Sequence, residues 1–219
     1  FSRNKGSVSK DVLLDLLWPD ATPKQADLNF RVTLSLLRKT ISIASNGRKN
    51  IPNLLRTQQG YQLSLGREGW SDVDEFNNEM NLGGYKEKKQ DHYESLRHYL
   101  NAENLYKDDF LVENLYEDWC FIEREHLKNQ YLYALTKILD YYEGQRNLTE
   151  AINYCYKILK ADPYRENIFR RLMQYHYELG NRKEVKSVFE LCKNNIENKL
   201  GVALSYETKE IYHKLSLSS

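Results

Sequence analysis

Apolar positions in the first third of the chain follow the spacing of two helices. The first helix is predicted between Ser9, a typical N-cap residue, and Pro19, which cannot continue a helix. Its apolar positions recur at helical spacing and are Val12, Leu13, Leu16 and Leu17. The second helix is predicted from Pro23, with Thr22 as its N-cap, to about Ile43. Its expected buried stripe consists of Phe30, Leu34, Leu37 and Ile41.

A hairpin is predicted directly after these helices. The polar stretch SNGRKN at residues 45–50 indicates a turn, and LLRTQQGYQLSL at residues 54–65 indicates two short strands around a bend that contains glycine. Helix, turn, long helix and hairpin follow one another in the order of a winged helix-turn-helix. The first residue is Phe1, and the opening FSRNKGSVSKD is expected to continue an element that starts upstream.

The rest of the chain shows helical periodicity throughout, which predicts an all-α region. One long apolar face is traced by Trp119, Ile122, Leu127, Tyr131, Leu135, Ile138, Leu139 and Tyr142. Apolar residues also match at a separation of 34 positions, the tetratricopeptide period. The matching pairs are Leu135 with Phe169, Ile138 with Leu172, Leu139 with Met173, Ala151 with Val185, and Cys155 with Phe189. Pro163 is expected to end one repeat at ADPY.

Composition places a domain boundary near residue 70. Sixteen of the seventeen tyrosines follow that position, and LGREGWSDVD at residues 65–74 combines two glycines with a turn-forming Ser-Asp pair. The predicted domains are therefore 1–69, a winged helix with a short β-hairpin wing, and 70–219, a tetratricopeptide-like helical repeat. The predicted fold class is mainly α.

No catalytic residue, metal site or cofactor site is predicted. The chain contains none of the motifs GxGxxG, GxxxxGKS/T, HExxH or GxSxG. His92 and His98 lie in a charged stretch, where exposed imidazoles are expected. His126 follows two glutamates but has no second His or Cys at ligand spacing, so it is expected on a helix surface.

Cysteine usage and hydropathy bound the location of the protein. Cys120, Cys155 and Cys192 lie far apart within amphipathic patterns and are predicted to be buried, reduced thiols. An odd number of scattered cysteines fits a reducing compartment, so a cytoplasmic location is expected. No run approaches the ~18 apolar residues of a membrane span, so no membrane contact is expected.

The formal net charge of +1 conceals a strong asymmetry. Residues 1–69 hold 11 Lys and Arg against 5 Asp and Glu, whereas the remainder holds 21 against 26. Nucleic acid attracts a basic segment and repels an acidic one. Charge alone leaves two interpretations evenly matched, a nucleic-acid-binding N-terminal region and a chance distribution of surface charge.

The second predicted helix carries side chains suited to DNA. Asn29 and Thr33 lie four residues apart, and Asn can pair with adenine while a Thr methyl can touch thymine. Basic residues farther along the helix, in the turn and in the hairpin suit phosphates. The predicted DNA-binding residues are Lys24, Asn29, Arg31, Thr33, Arg38, Lys39, Arg48, Lys49, Arg56 and Gln58. On these residues alone, ordinary solvated helix positions are an equal alternative.

Several motifs carry a family resemblance over nearly the whole chain. LLDLLWPDATPKQADLNFRVTLSLLRKTI at residues 13–41 resembles the winged helix of OmpR-type response regulators, and more closely that of antibiotic-regulatory activators. TQQGYQL resembles the last strand of the wing, with Gly60-Tyr61 in the family position. The remainder resembles the bacterial transcriptional activator domain that follows such winged helices. The motifs that carry it are YKDDFL from Tyr106 to Leu111, Asp118-Trp119, Glu123-Arg124, residues 161–182 and residues 200–212.

The chain departs from the OmpR-type pattern at three positions. Leu36 stands where the family commonly has Arg, and Thr57 and Gln58 stand where basic or glycine residues are usual. The first strands and most of the first helix of an OmpR-type domain are expected upstream of Phe1. Two phosphate contacts of the family are therefore expected to be missing, and weakened DNA binding is expected of residues 1–219 alone.

The resemblance implies a transcription regulator within a larger signalling protein such as a response regulator, and it implies an activator because the family mostly activates transcription. Its implied partners are double-stranded DNA, RNA polymerase or an upstream signalling domain such as a receiver, and another protomer in a homodimer. The alternative is a helical-repeat scaffold whose winged helix docks protein instead of DNA. The reason for this alternative is Leu36, which stands where an arginine is common. Substitution of Asn29, Arg31 and Arg38 together would abolish regulation in the first case only. An enzyme is the least favoured class.

Overall fold

A computed structural model describes residues 7–45, 53–64, 70–112 and 118–217, apart from the side chains of residues 45, 118 and 119. Two compact units make up the chain. The N-terminal unit is Phe1–Asp74 with Phe110–Arg124, and the repeat unit is Glu75–Asp109 with Glu125–Ser219. The elements are α1 (Lys10–Leu17), α2 (Pro23–Ser45), β1 (Asn53–Thr57), β2 (Gly60–Ser64), α3 (Asp72–Lys88), α4 (His92–Leu105), α5 (Asp118–Gly144), α6 (Leu148–Ala161), α7 (Glu166–Glu178), α8 (Arg182–Lys193), a π-helical segment (Asn194–Lys199) and α9 (Tyr206–Leu217).

The predicted helices of the N-terminal unit are confirmed, with their caps. The Ser9 hydroxyl accepts a hydrogen bond from the Val12 amide, and α1 ends at Leu17, before Pro19. Helix α2 begins at Pro23, and the Thr22 carbonyl accepts the first helical hydrogen bond from the Ala26 amide at 2.8 Å. The helix ends at Ser45, two residues beyond the predicted end.

Strands β1 and β2 form the predicted antiparallel hairpin. Thr57 pairs with Gly60, so Gln58 and Gln59 form a two-residue turn between the strands. Tyr61 also pairs with Val8 on the opposite edge of β2, through two 2.8 Å backbone hydrogen bonds. A Cβ atom on Gly60 would lie 2.0 Å from the Val8 carbonyl oxygen. Glycine is therefore required where the segment before α1 crosses the hairpin.

The core of the N-terminal unit centres on Phe30. Its ring packs edge-on against Trp18, with centroids 6.5 Å apart, and against Tyr61 at 5.1 Å. The predicted buried stripe of α2 is right for Phe30 and only partly right beyond it, since Leu34 and Ile41 are half-buried and Leu37 is exposed. Leu37 nevertheless lines an apolar cavity of about 70 Å³ beside Phe30, so it faces the core without being covered.

The repeat unit contains the predicted 34-residue periodicity. Each position of the matched pairs is buried, except Phe189, which is half-buried. Helix α6 ends at Ala161, directly before Asp162 and Pro163, and the Asn147 side chain caps its beginning by accepting from the Glu150 amide. Each pair of helices buries its apolar sides against the next pair, as in tetratricopeptide arrays. The predicted fold class is therefore confirmed: mainly α, a winged helix with a two-stranded wing and a tetratricopeptide-like repeat.

Helices α3 and α4 approach each other closely at Gly83, in the repeat unit. A Cβ atom on Gly83 would lie 2.8 Å from the ring of Tyr99, which is buried. The Ser95 hydroxyl donates a 3.0 Å hydrogen bond to the Gly83 carbonyl. The absence of a side chain at Gly83 thus permits the approach of α4.

A polar cluster attaches α9 to α7. Thr208 is the one residue of α9 that is fully buried among those described, and its hydroxyl donates to the Glu166 carboxylate at 2.6 Å. The Ser205 amide and hydroxyl, at the start of α9, donate to the same carboxylate. The Tyr212 ring stacks on Phe189 with centroids 3.8 Å apart. These contacts close the C-terminal end of the described array.

Two sequence-based expectations about α4 and α5 are wrong. His98 is buried, and its Nδ1 lies 2.9 Å from Glu79 Oε2, which also accepts from Asn101. A charged sequence context did not reveal that α3 supplies this carboxylate. Ile122 is exposed, although it was assigned to the buried face of α5, and Trp119 lies outside the described side chains. The other residues of that face are buried or half-buried.

Candidate nucleic-acid interface

The candidate interface is built on the side of α2 that points away from Phe30. Leu28, Val32 and Leu36 follow one another at intervals of four residues and therefore share one face of the helix. With Ile43 they are between 52% and 68% exposed. Lys39 lies on the same face and is exposed. The outermost surface of α2 is therefore aliphatic, with a cation near its C-terminal end.

Cations also flank this aliphatic face. Lys24, Arg31 and Arg38 are exposed, and together with Lys39 they give α2 four positive charges. The one carboxylate on α2 is Asp27. The side chain of Arg31 extends from one flank and is 74% exposed despite its ion pair with Asp27. Lys24, Arg31 and Arg38 are seven residues apart and share one flank, so the helix presents hydrocarbon beside a row of positive charges.

The negative charge of Asp27 is offset by two cations of the N-terminal unit. Its carboxylate pairs with Lys10, and also with Arg31 at 2.8 Å. The hydrogen bond from Lys10 is the largest cause that lowers the pKa of Asp27, and the charge on Arg31 acts in the same direction. Asp27 therefore stays ionised, and its two partners offset the repulsion that a free carboxylate would exert on phosphate.

The predicted base-contacting residues lie on the other flank of α2. Asn29 is half-buried. Thr33 is exposed but lines the apolar cavity together with Leu13 and Leu17 of α1. The two side chains share a flank, as expected from their spacing, but that flank is turned toward α1. The sequence did not indicate which side of α2 the first helix would cover.

The hairpin contributes two of the predicted residues. Arg56 lies on β1 and Gln58 in the turn, and both are exposed. Arg48 and Lys49, which were predicted to contact DNA from the preceding turn, lie outside the described residues. The described part of the predicted set therefore lies on α2 and on the hairpin, within one compact unit.

The three cysteines are buried, as predicted. Burial raises the pKa of the Cys155 and Cys192 thiols to about 12, which keeps both protonated at neutral pH and makes them poor nucleophiles. Among the described residues, no group of three His, Cys, Asp or Glu side chains is arranged to hold a metal ion. His92 and His126 are exposed, as predicted.

The repeat unit carries polar surface cavities of modest size. One, of about 230 Å³, lies beside the stacked rings of Tyr106 and Tyr131 and is lined by Lys107, Lys128, Lys157 and Lys160 with Asp108 and Asp109. Lys157 pairs with Glu103, so part of this positive charge is already offset. No described helix is both long enough and apolar enough to span a bilayer.

Comparison with known proteins gives one family and several relatives. A family model described as the bacterial transcriptional activator domain matches residues 71–216. The transcriptional regulatory protein MoaR1 of Mycobacterium tuberculosis is 23% identical over 98% of this chain and 68% of its own length, and MoaR1 of Mycobacterium bovis gives the same values.

Among solved structures, Mycobacterium tuberculosis EmbR in complex with a low-affinity phosphopeptide has a similar fold. The TM-score is 0.72 at 18% identity, and the match covers 96% of this chain and 55% of the EmbR chain. This chain thus spans about half the length of that protein.

Proposed function

The chain belongs to the bacterial transcriptional activator domain family, and from that premise we propose that it is a DNA-binding transcription regulator. Residues 1–69 bind duplex DNA, and residues 70–219 hold a protein partner. The carrying observation is the exposed cationic surface of α2 next to the hairpin, within a net-basic segment attached to a net-acidic one. The start of the family match at residue 71 supports the boundary.

In this proposal α2 enters the major groove, whose width admits an α-helix. Lys24, Arg38 and Lys39 contact phosphates along the groove. Arg31 and Asn29 reach toward the groove from opposite flanks of the helix, and Thr33 supports the flank beside α1. The hairpin places Arg56 and Gln58 against the adjacent backbone or groove, and Arg48 and Lys49 are proposed to contact the same region of the DNA.

The repeat unit serves as the protein-contacting part. The segment of residues 70–219, which contains the repeat unit, carries 26 acidic against 21 basic side chains, and this net negative charge repels DNA. RNA polymerase, an upstream signalling domain such as a receiver, or a second protomer are the partners proposed for it. The family and the relatives support a role for the protein in activating transcription. A cytoplasmic location and a two-component signalling pathway are proposed as the setting of that role.

A salt titration of the full chain on its own promoter region tests DNA binding. If six basic groups meet phosphates, the logarithm of affinity falls against the logarithm of salt with a slope of about −5. Substitution of Lys24, Arg38 and Lys39 by Ala removes three contacts and changes the slope to about −3.

The matched control removes three exposed lysines of the repeat unit, Lys88, Lys183 and Lys193. This control lowers the net charge by the same amount and leaves the slope near −5. Failure of the wild-type chain to show salt-sensitive binding to any promoter fragment would contradict the proposed function.

A second candidate function is a scaffold whose winged helix docks protein, which the exposed side chain of Leu36 favours. Combined substitution of Asn29, Arg31 and Arg38 separates the two. Regulation collapses if α2 binds DNA and persists if α2 docks protein through its aliphatic face.

A further inference from the structure

The aliphatic face of α2 is a feature that phosphate binding does not use. Leu28, Val32 and Leu36 project from the outermost side of the helix, and each is more than half exposed. Lys or Arg side chains at these positions would strengthen binding to any DNA sequence. Hydrocarbon there contributes only where an apolar partner meets it, because its burial removes apolar surface from water.

The charges around this face restrict the partner. Four cations lie along α2, and its single carboxylate is already paired with Lys10 and Arg31. A second copy packed on the same face would bring cations against cations. The surface therefore fits a polyanion that also exposes apolar groups between its charged groups.

The major groove of DNA offers one apolar group on its base edges, the C5 methyl of thymine. Guanine, cytosine and adenine present hydrogen-bonding atoms there, and leucine and valine side chains have no donor or acceptor for them. Pressing those edges against hydrocarbon would remove their water without replacing the hydrogen bonds, which costs free energy. Thymine is the base that gains from the contact.

We propose that Leu28, Val32 and Leu36 read thymine methyl groups, so that the operator of this protein is thymine-rich where α2 enters the groove. The inference rests on the proposed function, because it requires α2 to lie in a major groove. Side chains four residues apart are about 6 Å apart along a helix axis. The three side chains therefore span about 12 Å, which corresponds to three or four base-pair steps.

The test begins with a selection of 20-base-pair duplexes from a random library by the full chain. Thymine is expected to dominate a run of about four base pairs in the selected sequences. The selected duplex is then compared with one in which deoxyuridine replaces every thymidine, which removes only the methyl groups. Each lost methyl contact is expected to weaken binding about fourfold, and two together about fifteenfold.

Variants assign the effect to the aliphatic face. Leu36→Ala removes one contact while keeping a strong helix former, and it reduces the discrimination between thymine and uracil by about fourfold. Leu36→Arg is expected to shift the selected base at one position toward guanine, which arginine pairs in a bidentate manner. Leu191→Ala, a substitution of an exposed leucine on α8, is the matched control and leaves the discrimination unchanged.

The outcomes separate this inference from the proposed function. Salt-sensitive binding with equal affinity for thymine and uracil duplexes would overturn the inference and leave DNA binding intact. If Leu36→Ala abolished regulation without changing DNA affinity, the face would dock protein, for example an acidic amphipathic helix, and the inference would again be wrong. Absence of salt-sensitive binding to every duplex would overturn both.

Discussion

Replacement of Thr208 by Val tests how the last helix of the array is held. The Thr208 hydroxyl donates to Glu166 at 2.6 Å and accepts from Arg170 Nη1 at 3.0 Å, and the residue is fully buried. Valine keeps the shape of the side chain and removes these two hydrogen bonds, together with the one that the Ser205 hydroxyl donates to the Thr208 hydroxyl at 3.0 Å. A hydrogen bond to a charged group contributes about 1.5–3 kcal/mol.

The expected loss is about 2 kcal/mol, because Glu166 and Arg170 are half-buried and water can replace part of each contact. The Ser205 amide and hydroxyl still donate to Glu166 in the variant. Urea unfolding measures the change in the free energy of unfolding, and hydrogen exchange in α9 shows whether the helix detaches locally. Ser187→Ala, which removes an exposed hydroxyl of α8, should change stability by less than about 0.5 kcal/mol.

The pH dependence gives a second readout of the same contact. Burial raises the pKa of Glu166, but hydrogen bonds from Ser205 and Thr208 and the charge of Arg170 outweigh it, so the net pKa lies below 4.5. A carboxyl whose folded-state pKa is lowered stabilises the fold above its unfolded-state pKa, and this contribution is lost as pH falls through the folded-state pKa. The deficit of Thr208→Val should therefore be largest near pH 7 and smaller near pH 3.5. A variant as stable as wild type at pH 7, or a deficit that grows toward acid pH, would refute this account of α9.

Two further predictions concern close packing and interface charge. Gly83→Ala should destabilise the repeat unit by about 1–3 kcal/mol, because its Cβ meets the buried Tyr99 ring at 2.8 Å. Gly84→Ala, whose Cβ has its nearest contact at 3.9 Å, should stabilise α3 by up to about 1 kcal/mol. Thermal unfolding that ranks the two variants in the opposite order would contradict this packing. Asp27→Asn should free Lys10 and Arg31 and steepen the salt slope of DNA binding by about 1, because Arg31 then gains a phosphate contact. Asp20→Asn, at an exposed position of the turn before α2, should leave the slope unchanged. Equal slopes for Asp27→Asn and wild type would show that neither freed cation gains a phosphate contact.

Features set by local sequence could be predicted accurately. The Ser9 cap, the start of α2 at Pro23 and the hairpin turn before Gly60 depend on residues close together in the chain. The buried positions of the repeats could also be predicted, because the 34-residue period shows the same face twice. In these cases the sequence pattern lies within the same short segment, or the same repeat, as the contacts that it predicts.

Features set by packing between distant segments could not be predicted. The burial of His98 depends on Glu79, which lies 19 positions earlier on α3. Arg124 is buried, and it donates hydrogen bonds to the carbonyls of Phe110 and Leu111, in the turn before α5. Neither pairing has a periodic signal in the sequence.

Sequence patterns also could not predict which side of α2 faces outward at the candidate interface. Helical spacing placed Asn29 and Thr33 together but could not show that α1 covers their flank, and it left Leu28 and Val32 without a role. Only the exposed fraction of each side chain distinguishes the outermost face from its flanks. A sequence signal was available at Leu36, whose departure from the related winged helices pointed to the same face.

The most direct test of the account is a measurement of what lies next to the outer face of α2 when the protein binds its promoter. The three native cysteines are buried, so Ser35→Cys, at an exposed position of α2, places one accessible thiol on this helix for a DNA-cleaving reagent. The account predicts strand cleavage confined to a few base pairs of the operator, and no cleavage from the same reagent on Ser187→Cys of α8. Cleavage from α8 but not from α2, or none from either on a duplex that the protein binds, would contradict the claim that α2 enters the groove.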